Sequence, residues 1–218
     1  MTLSTAYSAQ GTLFQLAGTP ASALTITGIT KAVQAVVSAT HALAIGDVVD
    51  FGVVTNMPEI AGLIGVVTAI TGTSAFTVNI DSSAFAAAGT TGAATPYPAA
   101  TWKTVGNCKT YNGFDGTKGE IDISHLGGTA KEYLPALEDF GQLTAECDIG
   151  FADPGQLAAR ANKTSNVLAL FRIVLSAGGV KQRVWRGFVK KFTETAGVDG
   201  VYKGSIDVRI SGAVNFGT

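Results

Sequence analysis

Leu143-Thr144-Ala145-Glu146-Cys147-Asp148-Ile149-Gly150-Phe151 decides the fold class. Its odd positions are all apolar, and Glu146 and Asp148 share the opposite side, which is the period-2 signature of a strand with one face on a core and one in water. Glu120-Ile121-Asp122-Ile123 repeats the pattern, and near the C-terminus Ile206, Val208 and Ile210 alternate with Asp207 and Arg209. Residues 168–175 and 184–192 read as two further strands separated by a Ser-Ala-Gly-Gly turn region. One helix precedes them. Asp153 suits its N-cap, Pro154 its first position and Gln156 the capping-box spacing, while Leu157, Ala158 and Ala161 offer a small apolar face. The expected fold is mainly β: a β-sandwich with one flanking α-helix.

Toward the N-terminus the composition changes. Residues 1–98 hold one cation, Lys31, and four acids, Asp47, Asp50, Glu59 and Asp81, of the chain's 15 Lys and Arg and 16 Asp and Glu. The shift falls near Thr95-Pro96-Tyr97-Pro98, where two prolines exclude helix and favour an extended connector. A second boundary lies near Gly18-Thr19-Pro20. Residues 22–97 therefore read as an inserted small β-barrel-like domain with neighbouring ends, and residues 1–21 and 98–218 as the main sandwich. Within the insertion, Val48-Val49-Asp50-Phe51-Gly52-Val53-Val54, Gly65-Val66-Val67-Thr68-Ala69-Ile70 and Ala75-Phe76-Thr77-Val78-Asn79-Ile80 read as strands, and 84–88 as at most a helical turn.

The 218 residues are 46% apolar and 14% charged, where an ordinary soluble domain carries about 25% charged side chains. Disorder is excluded, and much of the surface is expected to meet other protein. No run of 18 apolar residues argues for a transmembrane helix. A net charge of −1 gives no global attraction for nucleic acid or anionic lipid. The opening Met-Thr-Leu-Ser-Thr-Ala-Tyr lacks the basic and apolar segments of a secretory signal, so synthesis is expected to end in a cytoplasm. Cys108 and Cys147, spaced as neither a CxxC pair nor a zinc cluster, read as two buried thiols.

Catalysis finds little to work with. The only imidazoles are His41 and His125. Ser124 and His125 are neighbours that a strand would point to opposite faces, and no nucleophile elbow, phosphate loop, dinucleotide fingerprint or HExxH stretch occurs. The chain reads as a non-enzyme without catalytic residues, metal or cofactor. Asp115-Gly116-Thr117-Lys118-Gly119-Glu120 has a superficial likeness to a calcium loop, but Lys118 sits among the oxygens, so a solvated turn is preferred. Lys181, Arg183, Arg186, Lys190 and Lys191, with Trp185 and Phe188 nearby, form the densest basic cluster. Single-stranded nucleic acid is one reading. A solvent edge or subunit contact is preferred, because Glu194 follows at once and acids elsewhere cancel the charge.

The order of features in the main part resembles the tail tube (major tail) proteins of long-tailed, non-contractile phages. The resemblance runs through Gly11-Thr12-Leu13-Phe14, Glu120-Ile121-Asp122-Ile123-Ser124-His125-Leu126 and Lys131-Glu132-Tyr133-Leu134-Pro135-Ala136-Leu137-Glu138-Asp139-Phe140-Gly141. It continues through the alternating 143–151 strand, the capped helix, Phe171-Arg172-Ile173-Val174-Leu175-Ser176 and the Ile210-Ser211-Gly212 ending. The insertion resembles small β modules of other phage tail proteins through His41-Ala42-Leu43-Ala44-Ile45-Gly46-Asp47-Val48-Val49 and Asn56-Met57-Pro58-Glu59-Ile60.

The resemblance implies a structural virion protein, assembled in the host cytoplasm, whose hexameric rings stack head to tail into a hollow tube that genomic DNA crosses during ejection. Its implied partners are further copies of itself, a tape-measure protein, and tail tip and terminator proteins. DNA passes without specific binding, and no membrane is involved. A heterologous interface that closes by rotation gives a ring, and paired edge strands hide backbone groups that would otherwise template aggregation. Glu120, Asp122, Glu146, Asp148 and Asp207, on polar faces of alternating strands, are the expected lumen-facing acids, repelling phosphate over about 8 Å; the alternative is that these faces meet outside solvent. Tyr133, Leu134, Glu138 and Phe140, with Leu3 and Tyr7, are the expected contacts between subunits or rings. The insertion is expected to decorate the outside or bridge rings. Competing readings are a tube subunit of a secretion or contractile injection machine carrying protein cargo, and a monomeric phage decoration or carbohydrate-binding module.

Overall fold

The computed structural model describes residues 8–127, 129–176 and 180–217. Within them the chain runs β1 (Leu13–Ala17), β2 (Leu24–Ile26), β3 (Gly28–Ile29), β4 (Val36–Ser38), β5 (Val48–Val54), β6 (Ile64–Thr71), β7 (Ala75–Val78) and β8 (Gly92–Tyr97). It continues through β9 (Trp102–Thr104), β10 (Cys108–Gly113), β11 (Thr117–Asp122), β12 (Tyr133–Asp139), β13 (Gln142–Asp148), α1 (Pro154–Ser165), β14 (Ala169–Val174), β15 (Gln182–Thr195) and β16 (Lys203–Phe216). The fold is mainly β with antiparallel pairing and one α-helix, as the alternation predicts. Contacts divide the chain into two units, one of Met1–Val105, Leu170–Trp185 and Asn215–Thr218 and the other of Gly106–Ala169 and Arg186–Val214.

In the first unit, residues 24–97 form a sheet of order β2-β8-β5-β6-β7-β4-β3. The strands at its two ends, β2 and β3, are consecutive in the chain on either side of Thr27, whose N–H reaches Ser38 O at 2.8 Å, so the sheet curls toward closure. Ile26, Val49, Phe51, Val67, Phe76 and Val78 fill its interior. The turn from β6 to β7 places Gly72 at φ +63, a conformation that favours a residue without Cβ. The strands β5, β6 and β7 lie where their β-branched runs predict. Thr95, Pro96 and Tyr97 of the expected connector belong to a paired strand instead: β8 lies between β2 and β5, with Pro96 opposite Val49. Residues 84–88 form turns and bends.

The same unit holds β1 paired to β14 and to β9. Phe14, Phe171 and Trp185 stack there, with ring centroids 6.0 to 6.5 Å apart. Val48, Ile64 and Val66 from the curled sheet cluster with Trp102, Leu170 and Val184. Of the two aromatics near the basic cluster, Trp185 is fully buried and serves the core, offering no face to a nucleic-acid base, whereas Phe188 is exposed.

In the second unit the strand order is β10-β13-β16-β15. Leu143, Ala145 and Cys147 of β13 lie opposite Val208, Ile206 and Gly204 of β16, so the buried alternation of the two strands coincides. β13 ends at Asp148, and Phe151, expected on the core face, is exposed in the turn before α1, with its ring edge-on to Tyr202 at 5.4 Å.

The helix starts where the capping residues predict. The Asp153 carboxylate accepts the N–H of Gln156 at 2.8 Å and that of Gly106 at 3.0 Å. Gln156 does not complete a capping box: its buried amide accepts from Gly150 N and donates to Gly106 O and Asp148 O. The buried face is Gly155, Gln156 and Ala159, whereas Leu157 and Ala161 are exposed, because the helix is held by this polar lock rather than by an apolar stripe. Asp153→Ala should lower unfolding stability by about 1–2 kcal/mol, seen as a reduced urea midpoint; an unchanged midpoint would show that the cap is dispensable.

Cys108 and Cys147 are direct cross-strand partners joined in a disulfide, with Cα atoms 4.0 Å apart. The pair of buried thiols expected from spacing is therefore corrected. Only Cys147 is buried, on the core face of β13, while Cys108 is exposed on β10.

Candidate functional site

The second unit presents an unusual ribbon. Among the described residues, β11 and β12 pair only with each other, and nearly every residue on both strands is exposed. Ile121 lies opposite Leu134 on one face, while Glu120 opposite Pro135 and Asp122 opposite Tyr133 lie on the other. Ile121 is 53% exposed, Leu134 51% and Leu137 93%, so alternation that in β13 marks a buried face here marks an open one. The expected core side of 120–123 is corrected accordingly. Two strands alone are marginal in water, and an apolar face this open is a surface awaiting cover.

The ribbon is also charged. Between 115 and 139 there are six acids and two cations. Lys118 pairs with Glu138 at 3.5 Å, and Arg209 of β16 pairs with Asp139 at the base. Asp139 is held below the usual carboxylate range first by the Gly141 N–H and then by Arg209. Asp122 is held low by the Ser124 hydroxyl and N–H. Glu132 N–H donates in turn to Ser124 Oγ at 3.0 Å, which orders the chain beyond the paired strands.

Of the expected contact residues, Tyr133, Leu134 and Glu138 lie on this ribbon and Phe140 follows it, half-buried. Leu3 and Tyr7 lie outside the described residues. Sequence alternation missed that Ile121, Ile123 and Leu137 belong to the same open surface; the excess of acids and Pro135 within the run were the available signals.

The expected lumen acids fall in two places. Glu120 and Asp122 are on the ribbon. Glu146, Asp148 and Asp207 share the polar face of the β10-β13-β16 strands, where Glu146 lies opposite Ser205 and Asp148 opposite Lys203. That face is mixed in sign. Lys109 Nζ meets Asp148 at 2.8 Å, and Thr110 Oγ1 donates to Glu146 at 3.2 Å. Lys109, Glu146, Asp148, Thr193, Lys203 and Ser205 line a shallow groove of about 400 Å³.

In the first unit a buried polar network escaped sequence reading. The Arg172 guanidinium, on β14, donates to Gln15 Oε1 at 2.7 Å and Gln182 Oε1 at 3.4 Å, and lies 4.2 Å over the Trp102 ring. Burial pulls it down to about 10, with Asp47 opposing that shift. Asp47 itself is pushed up by burial, although the N–H groups of Ala44 and Ala99, at 2.7 and 3.0 Å, and the Arg172 charge pull it down. Gln182 Nε2 donates to Gly46 O at 2.7 Å. Asn215 donates to Ile64 O at 2.6 Å and exchanges hydrogen bonds with Asn79. The network ties β14, β15 and the chain end to residues 44–79. His41 is a satisfied core residue, accepting from Leu43 N at Nδ1 and meeting Ala75 O through Nε2. Among the described residues no group of three or more His, Cys, Asp and Glu is placed to hold a metal ion, and no helix is long and apolar enough to cross a membrane.

No protein-family model matches the chain, and no curated protein matches it. Among solved structures it is similar to a chain in the tail of an empty gene transfer agent particle refined with C6 helical symmetry, at 12% identity and TM-score 0.45, over 54% of this chain and 87% of that one. A chain from the virion of a native gene transfer agent particle gives 12% identity and TM-score 0.46, over 54% and 89%. A chain of the six-fold symmetrised anti-feeding prophage baseplate gives 13% identity and TM-score 0.39, over 81% and 95%.

Proposed function

We propose that the chain is a structural subunit of a phage tail tube, whose hexameric rings stack into a hollow cylinder for genomic DNA. The observation that carries the reading is the β11–β12 ribbon, open on both faces and apolar on one. A lone ribbon gains from being covered, and a second copy of the same chain is the partner always present at assembly. The sparse charge, 14% of residues, fits a subunit much of whose surface meets protein. The ordered resemblance to tail tube proteins supplies the ring geometry and the partners: tape-measure, tail tip and terminator proteins. Residues 22–97 act as a module inserted into a sandwich of 1–21 and 98–218. Their own sheet supports that division, and Gln182 and Asn215 tie the module in place.

Sedimentation velocity over a rising concentration series tests the assembly. Growth from monomer to ring-sized and larger species is expected, and a strict monomer at every concentration would favour a decoration or carbohydrate-binding module. In the tube, the polar face bearing Glu146, Asp148 and Asp207 lines the lumen. Its mixed charge, with Lys109 and Lys203 among the acids, suits a wall along which DNA slides without being held. Glu146→Lys with Asp148→Lys makes the face cationic and should slow genome delivery severalfold while tubes still form; delivery at the unaltered rate would remove this face from the lumen.

A further inference from the structure

Strand β10 stands at the edge of the β10-β13-β16-β15 order, and its residues 108–112 are all exposed, so no apolar side chain anchors it. It is held by its ladder to β13, by the Lys109–Asp148 pair, whose lysine is exposed and whose carboxylate is half-buried, by Thr110 on Glu146, and by the Cys108–Cys147 disulfide. One ion pair with an exposed lysine and one hydroxyl bond hold the strand less firmly than a covalent link spanning 39 positions of sequence, which restricts the detached chain strongly. β13 is different: it buries Leu143, Ala145 and Cys147 and stays in place on its own. Breaking the disulfide therefore loosens one strand and spares its neighbour.

We propose that Cys108 and Cys147 form a redox latch on β10, which fixes this sheet edge when oxidised and lets it detach when reduced. Cys108 is the point of entry because it is exposed, while Cys147 is buried. The oxidant is a low-molecular-weight disulfide. The Cys108 thiolate attacks one of its sulfurs, expelling one small thiol and leaving a mixed disulfide. The Cys147 thiolate then attacks Cys108 Sγ and expels the second. Two protein thiols lose two protons and two electrons, and the small disulfide is reduced to two thiols. Excess small thiol runs the sequence backward. In a tail subunit the latch keeps the edge exchangeable during assembly in a reducing cytoplasm and fixes it afterwards; that consequence rests on the tail reading, whereas the latch does not.

Hydrogen exchange of the full chain, read by mass spectrometry with and without a dithiol reductant, tests the latch. Peptides spanning 108–112 should exchange about tenfold faster or more after reduction, while peptides from β5 and β6 stay unchanged. Protein incubated with oxidised glutathione should take up no alkylating reagent, and two equivalents after reduction. Cys108→Ser with Cys147→Ser should show the fast exchange without reductant and no response to it. Equal protection of 108–112 in both states, or two reactive thiols persisting after the oxidised glutathione incubation, would overturn the proposal.

Discussion

Ile121→Glu combined with Leu134→Glu should yield a folded monomer that forms no rings. The two side chains are direct cross-strand partners on the open face of the ribbon, and both are more than half exposed. Exchanging exposed side chains changes the stability of the isolated subunit by about 0.5 kcal/mol or less, so the melting temperature should move by no more than about 2 °C. The assembled state responds differently. Covering an Ile or Leu side chain is worth about 1.5–3 kcal/mol each, and a carboxylate in its place must be desolvated without a partner. A combined loss of about 3–6 kcal/mol per contact raises the concentration needed for assembly more than about 100-fold. Sedimentation velocity beside circular dichroism separates the two effects. Normal tubes at the unaltered concentration would mean that the ribbon faces solvent in the particle and that assembly uses another surface.

Arg172→Ala should cost about 3–5 kcal/mol of unfolding stability, a fall in melting temperature of about 10 °C. The substitution strips the donor from Gln15 and Gln182, empties the space over Trp102 and leaves buried Asp47 without its cation. The loss should depend on pH. Burial raises the Asp47 pKa, so the folded protein holds that proton more tightly than the unfolded chain, and acidification through this range favours folding at that group. Removing Arg172 raises Asp47 further and widens the range. The deficit of Arg172→Ala relative to the unaltered protein should therefore be smaller at acidic pH than at neutral pH. The carboxyls held low, Glu59, Asp81, Asp122 and Asp139, lose stability on acidification in both proteins and cancel from the difference. A deficit below about 1 kcal/mol, or one that grows on acidification, would show that Arg172 and Asp47 are not coupled.

What the sequence disclosed follows from what periodicity measures. β13 and β16 alternate cleanly and meet in register with their apolar sides together, so the main sheet is legible in the sequence itself. Alternation in 120–123 is as clean, yet it belongs to a two-stranded ribbon whose residues are nearly all exposed; period 2 reports two faces and does not say which is covered. Pro96 hid β8, because a proline ordinarily argues against an interior strand, and here its carbonyl still accepts from Ala21 N at 3.1 Å. Alternation placed Cys147 correctly on the core face, but nothing local said that Cys108 would stand opposite it. Asp47 and Arg172 were invisible for the same reason: each is a lone charge among apolar neighbours, and only the fold makes them members of one network. The helix shows the converse, since its start was legible from Asp153 and Pro154 while its buried face was not, because Gln156 works through backbone groups of Gly106, Asp148 and Gly150, outside the helix.

Cryo-electron microscopy of the concentrated, unaltered protein decides whether copies of the chain close into a tube. Assembly into a tube requires closed sixfold rings about 100 Å across, some stacked, each with an open channel and with the β11–β12 ribbon covered by a neighbouring copy. Isolated molecules at every concentration, or assemblies without a central opening in which the ribbon projects into solvent, would contradict it.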